Sequence, residues 1–368
     1  MEILVVVGTL SGQGGIETCV QSLAQEARAN GDHVRVLALC PSTVDGSWHE
    51  GLDYGEMPNG SPSLRRQAIE SLPAVVRACR QQRPDAVIVI YSSSIPLARL
   101  ALFLAGLKRP VMAWLHFSDA LKQRTSLLRF AHGHICISQP IVESTRRLAG
   151  IRPENVHLVH NGTRVDSTAP IARSAQGPLR IVHVGRLTVG GQKRTDDLLR
   201  ALATVEGDWR LQVVGTVALA GDAGKLEALA DALGIADRID WVGWQPDPWA
   251  ALERADLLVL CSAFEGFPMV LIEAMARGIP CLSSDCPSGP SDIVRPGQNG
   301  WLYPVADYDA LAGRLQAIVA NRSLLPAPDA VRASVRPFSS RAVFLKIRKA
   351  IEQTRGSACP PSSVPIHE

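Results

Sequence analysis

Two glutamates eight positions apart could supply carboxylates for binding or catalysis. In "AFEGFPMVLIEAMARG", Glu265 precedes Gly-Phe-Pro and Glu273 lies inside an apolar run. The preceding "LLVLCS" is typical of a buried strand, and Pro268 and Gly278 are residue types that begin and end helices. Glu265 is therefore predicted on a loop at the carboxyl end of a strand, within reach of a transferred group. Glu273, in the following helix, could accept hydrogen bonds from two ribose hydroxyls.

Basic side chains follow another apolar run in "LRIVHVGRLTVGGQKRTDDLL". Arg186 leaves the end of the predicted strand, and Lys193 and Arg194 stand just before the next helix. The carboxyl edge of a parallel sheet is where α/β proteins bind ligands. A guanidinium fork and a compact ammonium both suit the oxygens of a diphosphate. A solvated basic turn is the alternative, and it is the preferred interpretation for Arg194.

A glycine-rich turn follows the first apolar run, in "TLSGQGGIETCVQ". Gly14 and Gly15 directly precede a predicted helix, where backbone N–H groups could contact an anion or a sugar hydroxyl. Glu17 stands where the dinucleotide-binding fingerprint needs a glycine, so NAD binding is excluded at this loop. A tight turn without a ligand remains the alternative.

These side chains need a scaffold, and short apolar runs alternating with helical stretches predict one. The predicted strands of the first half are EILVVV, HVRVLALC, DAVIVIYS, PVMAWLH, HICIS and VHLVHNG; those of the second are LRIVHVG, WRLQVVG, IDWVGW, LLVLCS, PCLSS and GWLY. Apolar strands between amphipathic helices indicate parallel sheets covered on both faces. Two such series predict an α/β protein of two doubly wound, Rossmann-like domains facing a cleft, at 1–165 and 178–335. The polar stretch 163–178 is expected to link them, and 356–368 to be a disordered tail.

Composition excludes several classes of protein. The formal net charge of +3 is too small to indicate a nucleic-acid partner, and we expect none. The eight cysteines form no CxxC pair and mostly lie in apolar runs, which is typical of a reducing compartment. Glu2 stands where a signal peptide would be basic, and no apolar run approaches the roughly 20 residues of a membrane span. A cytoplasmic location is therefore expected.

These motifs together resemble the retaining nucleotide-sugar glycosyltransferases of family 4, which have the GT-B fold. The resemblance rests on "EGFPMVLIE", "GGIE", "VGRL" with a following lysine, and two α/β domains, and it covers nearly the whole chain. Within the family, "GGQKRTDDLL", "WVGWQPDPW", "FEGFPMVLIEA" and "GIPCLSSDCPSGPSDIVRPGQNGWLY" look most like members that build the lipopolysaccharide core. In this fold the first domain, 1–165, is expected to bind the acceptor and the second, 178–335, the nucleotide sugar. The last helix, here 338–354, is expected to pack back on the first domain.

The resemblance implies a role for each candidate residue. Arg186 and Lys193 would bind the donor diphosphate and stabilise the leaving nucleotide. Glu265 would hold donor sugar hydroxyls and Glu273 the ribose. His116, in "AWLHFSD", matches a family histidine near the reacting sugar, although a histidine at a strand end is otherwise as often structural. Other residues implied at the donor site are Gly14, Gly15, Gly185, Gly266, Phe267, Pro268 and Met269.

The implied reaction is transfer of a hexose with retention. The expected donor is UDP-galactose and the expected acceptor a glucose of the lipopolysaccharide core, joined by an α-1,6 linkage, with no cofactor and no metal. The alternatives are another UDP-sugar-dependent hexosyl- or N-acetylhexosaminyltransferase, a UDP-sugar 2-epimerase, or a binding protein without chemistry. Two basic helical stretches, 61–84 and 119–134, could contact anionic lipid on the inner face of the cytoplasmic membrane, and a solvated helix face is equally consistent with them.

Overall fold

A computed structural model describes residues 1–8, 10, 14–41, 46–57, 64–116, 125–174, 176–217 and 221–358. The chain divides into two compact units. The first contains Met1–Gly162 together with the chain from Ser340 onward, and the second is Thr163–Ser339. In the described part, no helix is both long enough and apolar enough to cross a membrane.

The first unit contains a parallel sheet of seven strands. Its elements in chain order are β1 (Glu2–Val7), α1 (Gly15–Ala29), β2 (His33–Ala38), β3 (Asp53–Glu56), α2 (Leu64–Gln82), β4 (Ala86–Val89), α3 (Ile95–Leu104), β5 (Val111–Leu115), α4 (Thr125–Leu128), β6 (Gly133–Cys136), α5 (Gln139–Arg146) and β7 (Val156–Leu158). The strand order is β3-β2-β1-β4-β5-β6-β7, so the direction of winding reverses between β1 and β4. Loops after these two strands border the crevice where such sheets bind ligands.

The second unit contains a parallel sheet of six strands. Its elements are β8 (Leu179–Val184), α6 (Thr195–Leu202), β9 (Trp209–Val214), α7 (Asp222–Ala232), β10 (Ile239–Gly243), β11 (Leu257–Leu260), α8 (Met269–Ala276), β12 (Cys281–Ser284), α9 (Pro290–Ile293), β13 (Gly300–Tyr303), α10 (Tyr308–Ala320) and α11 (Pro328–Ser334). The order β10-β9-β8-β11-β12-β13 reverses between β8 and β11. The segments that carry Arg186 and Glu265 follow these two strands, so the topology brings them to one crevice.

Apolar burial stabilises these elements. In the second unit, Leu198 and Leu202 of α6 and Leu311 and Leu315 of α10 are fully buried in one core against β8 and β9. Each such leucine contributes about 1.5–3 kcal/mol relative to an exposed one. The seven cysteines in the described residues are free thiols, and six of them are buried. The two doubly wound sheets confirm the predicted fold class.

The last helix, α12 (Ser340–Ala358), belongs to the first unit. It packs on α1 and β6, and Arg348 bonds Asp32 at 3.1 Å. The helix was expected over 338–354, so it begins two residues later and ends four residues later. Residues 356–358, expected in a disordered tail, therefore continue the helix, and the rest of that tail lies outside the described residues.

The segment expected as a linker, 163–178, packs instead on the second unit. Thr163 N donates to Phe338 O at 3.0 Å, and Ile171 N donates to Arg277 O at 3.0 Å. Val165 is buried. Its polar composition gave no sign of these contacts, because the backbone rather than the side chains makes most of the bonds.

Candidate active site

An ion pair joins two of the candidate residues in the second unit. Lys193 Nζ lies 2.6 Å from Glu265 Oε1, and the two side chains are only 15% and 9% exposed. Ser262 Oγ, fully buried at the end of β11, donates to the same Oε1 at 2.6 Å. Glu265 lies on the loop after β11, and one of its carboxylate oxygens accepts hydrogen bonds from both Lys193 and Ser262.

A glutamine links Arg186 to the Glu265 loop. Arg186 is exposed, and its Nη2 donates to Gln192 Oε1 at 3.3 Å. The amide nitrogen of Gln192 donates to Phe264 O at 3.2 Å, and Ala263 N donates to Gln192 O at 2.7 Å. Gln192 therefore orients the guanidinium and fixes the turn against the loop, a role that sequence reasoning did not assign to it.

The turn before α6 is held by its own side chains. Thr188 Oγ1 accepts hydrogen bonds from the backbone N–H groups of Lys193 and Arg194, both at 3.1 Å. Gly190 has a φ of +62°, and its N–H donates to Asp196 Oδ1 at 2.7 Å. Arg194, for which a solvated basic turn was the preferred interpretation, forms an ion pair with Asp197 of α6.

The loop from Gly266 to Pro268 is braced by the segment that precedes α9. A Cβ added at Gly289, whose φ is +95°, would lie 2.6 Å from Pro268 Cδ and 2.8 Å from Phe267 Cα. Ser288 Oγ donates to Gly266 O at 3.0 Å. Met269 is the first residue of α8, so the loop ends at a helix N-terminus whose free N–H groups favour anions.

Glu273 lies in α8 against an indole. Trp249 Nε1 donates to Glu273 Oε2 at 3.3 Å, and the Arg277 guanidinium lies 4.6 Å from the centroid of the Trp249 ring. Burial raises the pKa of Glu273, while the Trp249 bond and the Arg277 charge act to lower it. Trp249 and Arg277 are further residues that sequence reasoning did not assign.

The remaining candidates lie in the first unit. Gly14 directly precedes α1, and an added Cβ there would lie 2.7 Å from Oε2 of the buried Glu17, so a larger residue would require that carboxylate to shift. His116 follows β5 and is buried beside Trp114, with ring centroids 4.7 Å apart. Burial lowers the pKa of His116 to about 3, and its Nε2 has no partner among the described residues.

The second unit therefore brings Arg186, Lys193 and Glu265 into one network of contacts. Gly185 lies between the end of β8 and Arg186. Gly15, Gly14 and His116 belong to the other unit. Within the described residues, no group of three or more His, Cys, Asp or Glu side chains could hold a metal ion. Two cations, a carboxylate and a helix N-terminus can together bind an anion that carries hydroxyl groups.

Comparison with known proteins agrees with this chemistry. Residues 13–167 match the model described as Glycosyltransferase Family 4, and residues 167–332 match Glycosyl transferases group 1. The chain is 32% identical to a lipopolysaccharide 1,6-galactosyltransferase of Escherichia coli K12 over 95% of this chain and 98% of that protein. It is 32% identical to a Salmonella typhimurium enzyme of the same name over 87% and 90%.

A solved structure shares the architecture. The apo form of a lipopolysaccharide outer core galactosyltransferase superposes with a TM-score of 0.84 at 30% identity, covering 96% of this chain and 99% of that one. The HepE protein of Anabaena shows the same fold at 20% identity, with a TM-score of 0.78 over 96% and 100% of the two chains. The chain is a GT-B glycosyltransferase and belongs to family 4.

Proposed function

We propose that this enzyme transfers galactose from UDP-galactose to a glucose of the lipopolysaccharide core, forming an α-1,6 linkage with retention. The observation that carries the proposal is the identity of 32% along nearly the full length of two lipopolysaccharide 1,6-galactosyltransferases. The contacts within the second unit support it, because they place cations beside a carboxylate at the carboxyl edge of the sheet.

The proposed chemistry begins with the nucleotide diphosphate. In this proposal Arg186 and Lys193 stabilise the negative charge that grows on the departing phosphate, and the N-terminus of α8 adds an aligned dipole. Lys193 is paired with Glu265 at 2.6 Å. A diphosphate competes for that ammonium, which releases lone pairs of Glu265 for the hydroxyls of the donor sugar. Ser262 keeps the carboxylate in place during the exchange.

The rest of the donor is assigned by the same reasoning. Glu273 accepts hydrogen bonds from the ribose hydroxyls, and backbone groups of Gly266, Phe267, Pro268 and Met269 line the sugar and phosphate pocket. Gly14, Gly15 and His116 serve the donor phosphate or the acceptor from the first unit. The leaving phosphate takes the proton of the attacking acceptor hydroxyl. Burial lowers the pKa of His116 to about 3, which makes its imidazole too weak a base for that step.

The alternative hypothesis is that the donor is a UDP-sugar other than UDP-galactose. Galactose and glucose differ only in the orientation of one hydroxyl, and small changes in pocket geometry decide between them. The whole-length relatives are named as transferases, which favours transfer over 2-epimerisation or binding without chemistry.

The test is incubation with UDP-galactose, UDP-glucose and UDP-N-acetylglucosamine, each with lipopolysaccharide truncated before its outer core galactose. We expect one added hexose from UDP-galactose, and linkage analysis should place it at O6 of a glucose. Transfer from another donor at a higher kcat/KM would contradict the galactose assignment. UDP formation without a glycan product would contradict transfer itself.

We also propose that the enzyme works against the inner face of the cytoplasmic membrane. An apolar patch, here called the α3 patch, consists of Leu100, Phe103 and Leu104 of α3 with Phe130 beside them. Phe103 is 78% exposed, and a groove of about 410 Å³ runs between α3 and Phe130. Exposed aromatic and aliphatic side chains of this kind can enter the headgroup region of a bilayer.

Three arginines border the α3 patch. Arg99 Nη1 donates to Phe130 O at 3.0 Å, the Arg129 guanidinium lies 4.9 Å from the Phe130 ring centroid, and Arg80 Nη2 donates to Leu104 O at 2.9 Å. An apolar centre with a basic border complements an anionic lipid surface, where each cation contributes about 1 kcal/mol.

Vesicle flotation tests the contact. Wild-type protein should bind vesicles that contain phosphatidylglycerol and not vesicles of phosphatidylcholine alone, and Leu100→Glu should abolish binding. The matched control is Leu345→Glu, which changes a leucine of α12 with the same 45% exposure. Equal loss in both variants, or equal binding to both kinds of vesicle, would contradict the assignment to the α3 patch.

A further inference from the structure

Trp249 is held by contacts of its backbone, its ring face and its indole N–H. It lies between β10 and β11, where its backbone N–H donates to Asp247 Oδ1 at 3.0 Å. Its ring is buried, with the Arg277 guanidinium 4.6 Å from the ring centroid. Its indole N–H therefore points in one direction, toward Glu273 Oε2 at 3.3 Å.

This contact restricts a side chain that would otherwise rotate. A glutamate on a helix has three rotatable bonds, and a ligand that needs one rotamer must supply the entropy of fixing it. With Oε2 held by the indole, the lone pairs of Oε1 keep one orientation. Arg277 contacts both members of the Trp249–Glu273 pair. Its guanidinium lies over the Trp249 ring, and its Nη1 donates to the backbone oxygen of Glu273 at 2.9 Å.

We propose that Trp249 is a positioning residue for donor binding: its indole N–H, held in place by Arg277, orients the carboxylate of Glu273 to accept the hydroxyls of the nucleotide ribose. The inference rests on the proposed role of Glu273 and adds the residue that makes this role possible. "WQPDPW" carries no charge at Trp249, so sequence spacing alone does not connect it with Glu273, 24 positions away.

The same contact affects the charge of the carboxylate. Burial and the nearby Asp247 raise the pKa of Glu273, whereas the Trp249 bond and the Arg277 charge lower it. Removing the indole N–H leaves only Arg277 to oppose the increase, so the pKa of Glu273 rises further. The carboxylate must be ionised to accept two hydroxyl bonds, and the loss of affinity should therefore be greatest at acidic pH.

The decisive variant is Trp249→Phe, which keeps an aromatic ring under Arg277 and removes the donor. UDP affinity, measured by calorimetry from pH 5.5 to 8.5, should fall about tenfold at neutral pH. The pH at which affinity is half lost should move upward. A role in stability alone would not move that midpoint.

Trp209→Phe is the matched control. Trp209 is also buried, its Nε1 donates to Val205 O at 3.0 Å, and Arg238 lies 4.7 Å from its ring centroid. Both variants lose one indole hydrogen bond and retain the stacked arginine, so their melting temperatures should fall by similar amounts. Only Trp249→Phe should change UDP affinity.

Glu273→Gln distinguishes the ribose-binding role of Glu273 from the positioning role of Trp249. If it weakens UDP binding and Trp249→Phe does not, the positioning role is wrong and the ribose assignment stands. If Glu273→Gln leaves UDP affinity unchanged, the ribose assignment is wrong and the role of Trp249 falls with it. Equal weakening by Trp249→Phe and Trp209→Phe, with no shift of the pH midpoint, would also overturn the proposal.

Discussion

Glu265 is bonded to Lys193 and Ser262, and the proposed function gives it a further partner, the donor sugar. Its side chain is only 9% exposed, and its bonds to Lys193 and Ser262 hold the carboxylate in one orientation. Preorganised groups stabilise a transition state without reorganising during the reaction. In the proposed mechanism the ion pair holds Glu265 in the geometry that transfer requires, and the donor diphosphate frees Glu265 by binding Lys193.

The first prediction at this scale concerns Glu265→Gln. The amide still accepts from Ser262 and Lys193, so the fold should persist and UDP affinity should stay within about threefold, under 1 kcal/mol. Galactose transfer should fall by at least about 10²-fold, because the lost charge acts in the transition state. Calorimetry and initial rates measure the two effects, and parallel losses in both would show that Glu265 serves the nucleotide instead.

The second prediction concerns the cations. If Arg186 and Lys193 neutralise the leaving diphosphate, transfer should continue in EDTA, whereas Arg186→Ala should lower kcat by roughly 10²-fold. Arg194→Ala is the control, because Arg194 is paired with Asp197. Loss of activity with chelator, restored by magnesium or manganese, would contradict the metal-free mechanism.

Arg186 and Glu265 could be proposed from the sequence because each follows an apolar run, and strand ends converge at one edge of a parallel sheet. Gln192 and Trp249 could not be found in this way. Gln192 reaches Phe264 across 72 positions, and its amide has no charge that would distinguish it from a surface residue. Contacts of this kind depend on tertiary packing, which periodicity does not encode.

At the scale of elements, all twelve predicted apolar runs contain strands. The one further strand among the described residues, β3, was missed because "DYGE" is polar and lies at the sheet edge, where little of it is buried. The carboxyl ends of β8 and β9 make an especially close approach. A Cβ at Gly215, whose φ is +146°, would lie 1.8 Å from Gly185 O, one residue before Arg186.

Gly215→Ala should therefore affect both stability and donor binding. The added methyl group must push Gly185 away, at a cost of roughly 2–4 kcal/mol in the free energy of unfolding, and Arg186 must move with it. Gly224→Ala in α7 meets nothing within 4 Å and should stabilise the protein by about 1 kcal/mol. Urea unfolding and UDP titration compare the two, and equal behaviour would contradict the close-approach argument.

At the scale of the whole molecule, buried neutral histidines make the fold sensitive to acid. Burial lowers the pKa of His116 to about 3 in the first unit and that of His183 to about 4 in the second. The unfolded chain titrates near 6.5 and so binds more protons below that pH. The stability that these two neutral histidines contribute should therefore be complete above about pH 6.5 and be lost as the pH falls toward their lowered pKa values.

Urea unfolding should show a decrease of about 2 kcal/mol per buried histidine between pH 6.5 and pH 5. His183→Gln should remove about that much of the pH dependence, since the side chain loses its titration. An unchanged slope in a folded variant would show that other groups control the acid response.

Thr163 and Ser339 are the two ends of the second unit, and they form a β-bridge with each other. Chain entry and exit are therefore side by side, which is the arrangement of an inserted module. Residues 163–339 should be exchangeable as one cassette between relatives without altering the path of the remaining chain. A chimera that takes this cassette from a glucosyl-specific relative should keep its acceptor and change its sugar, which offers a route to new glycans by recombination instead of point mutation.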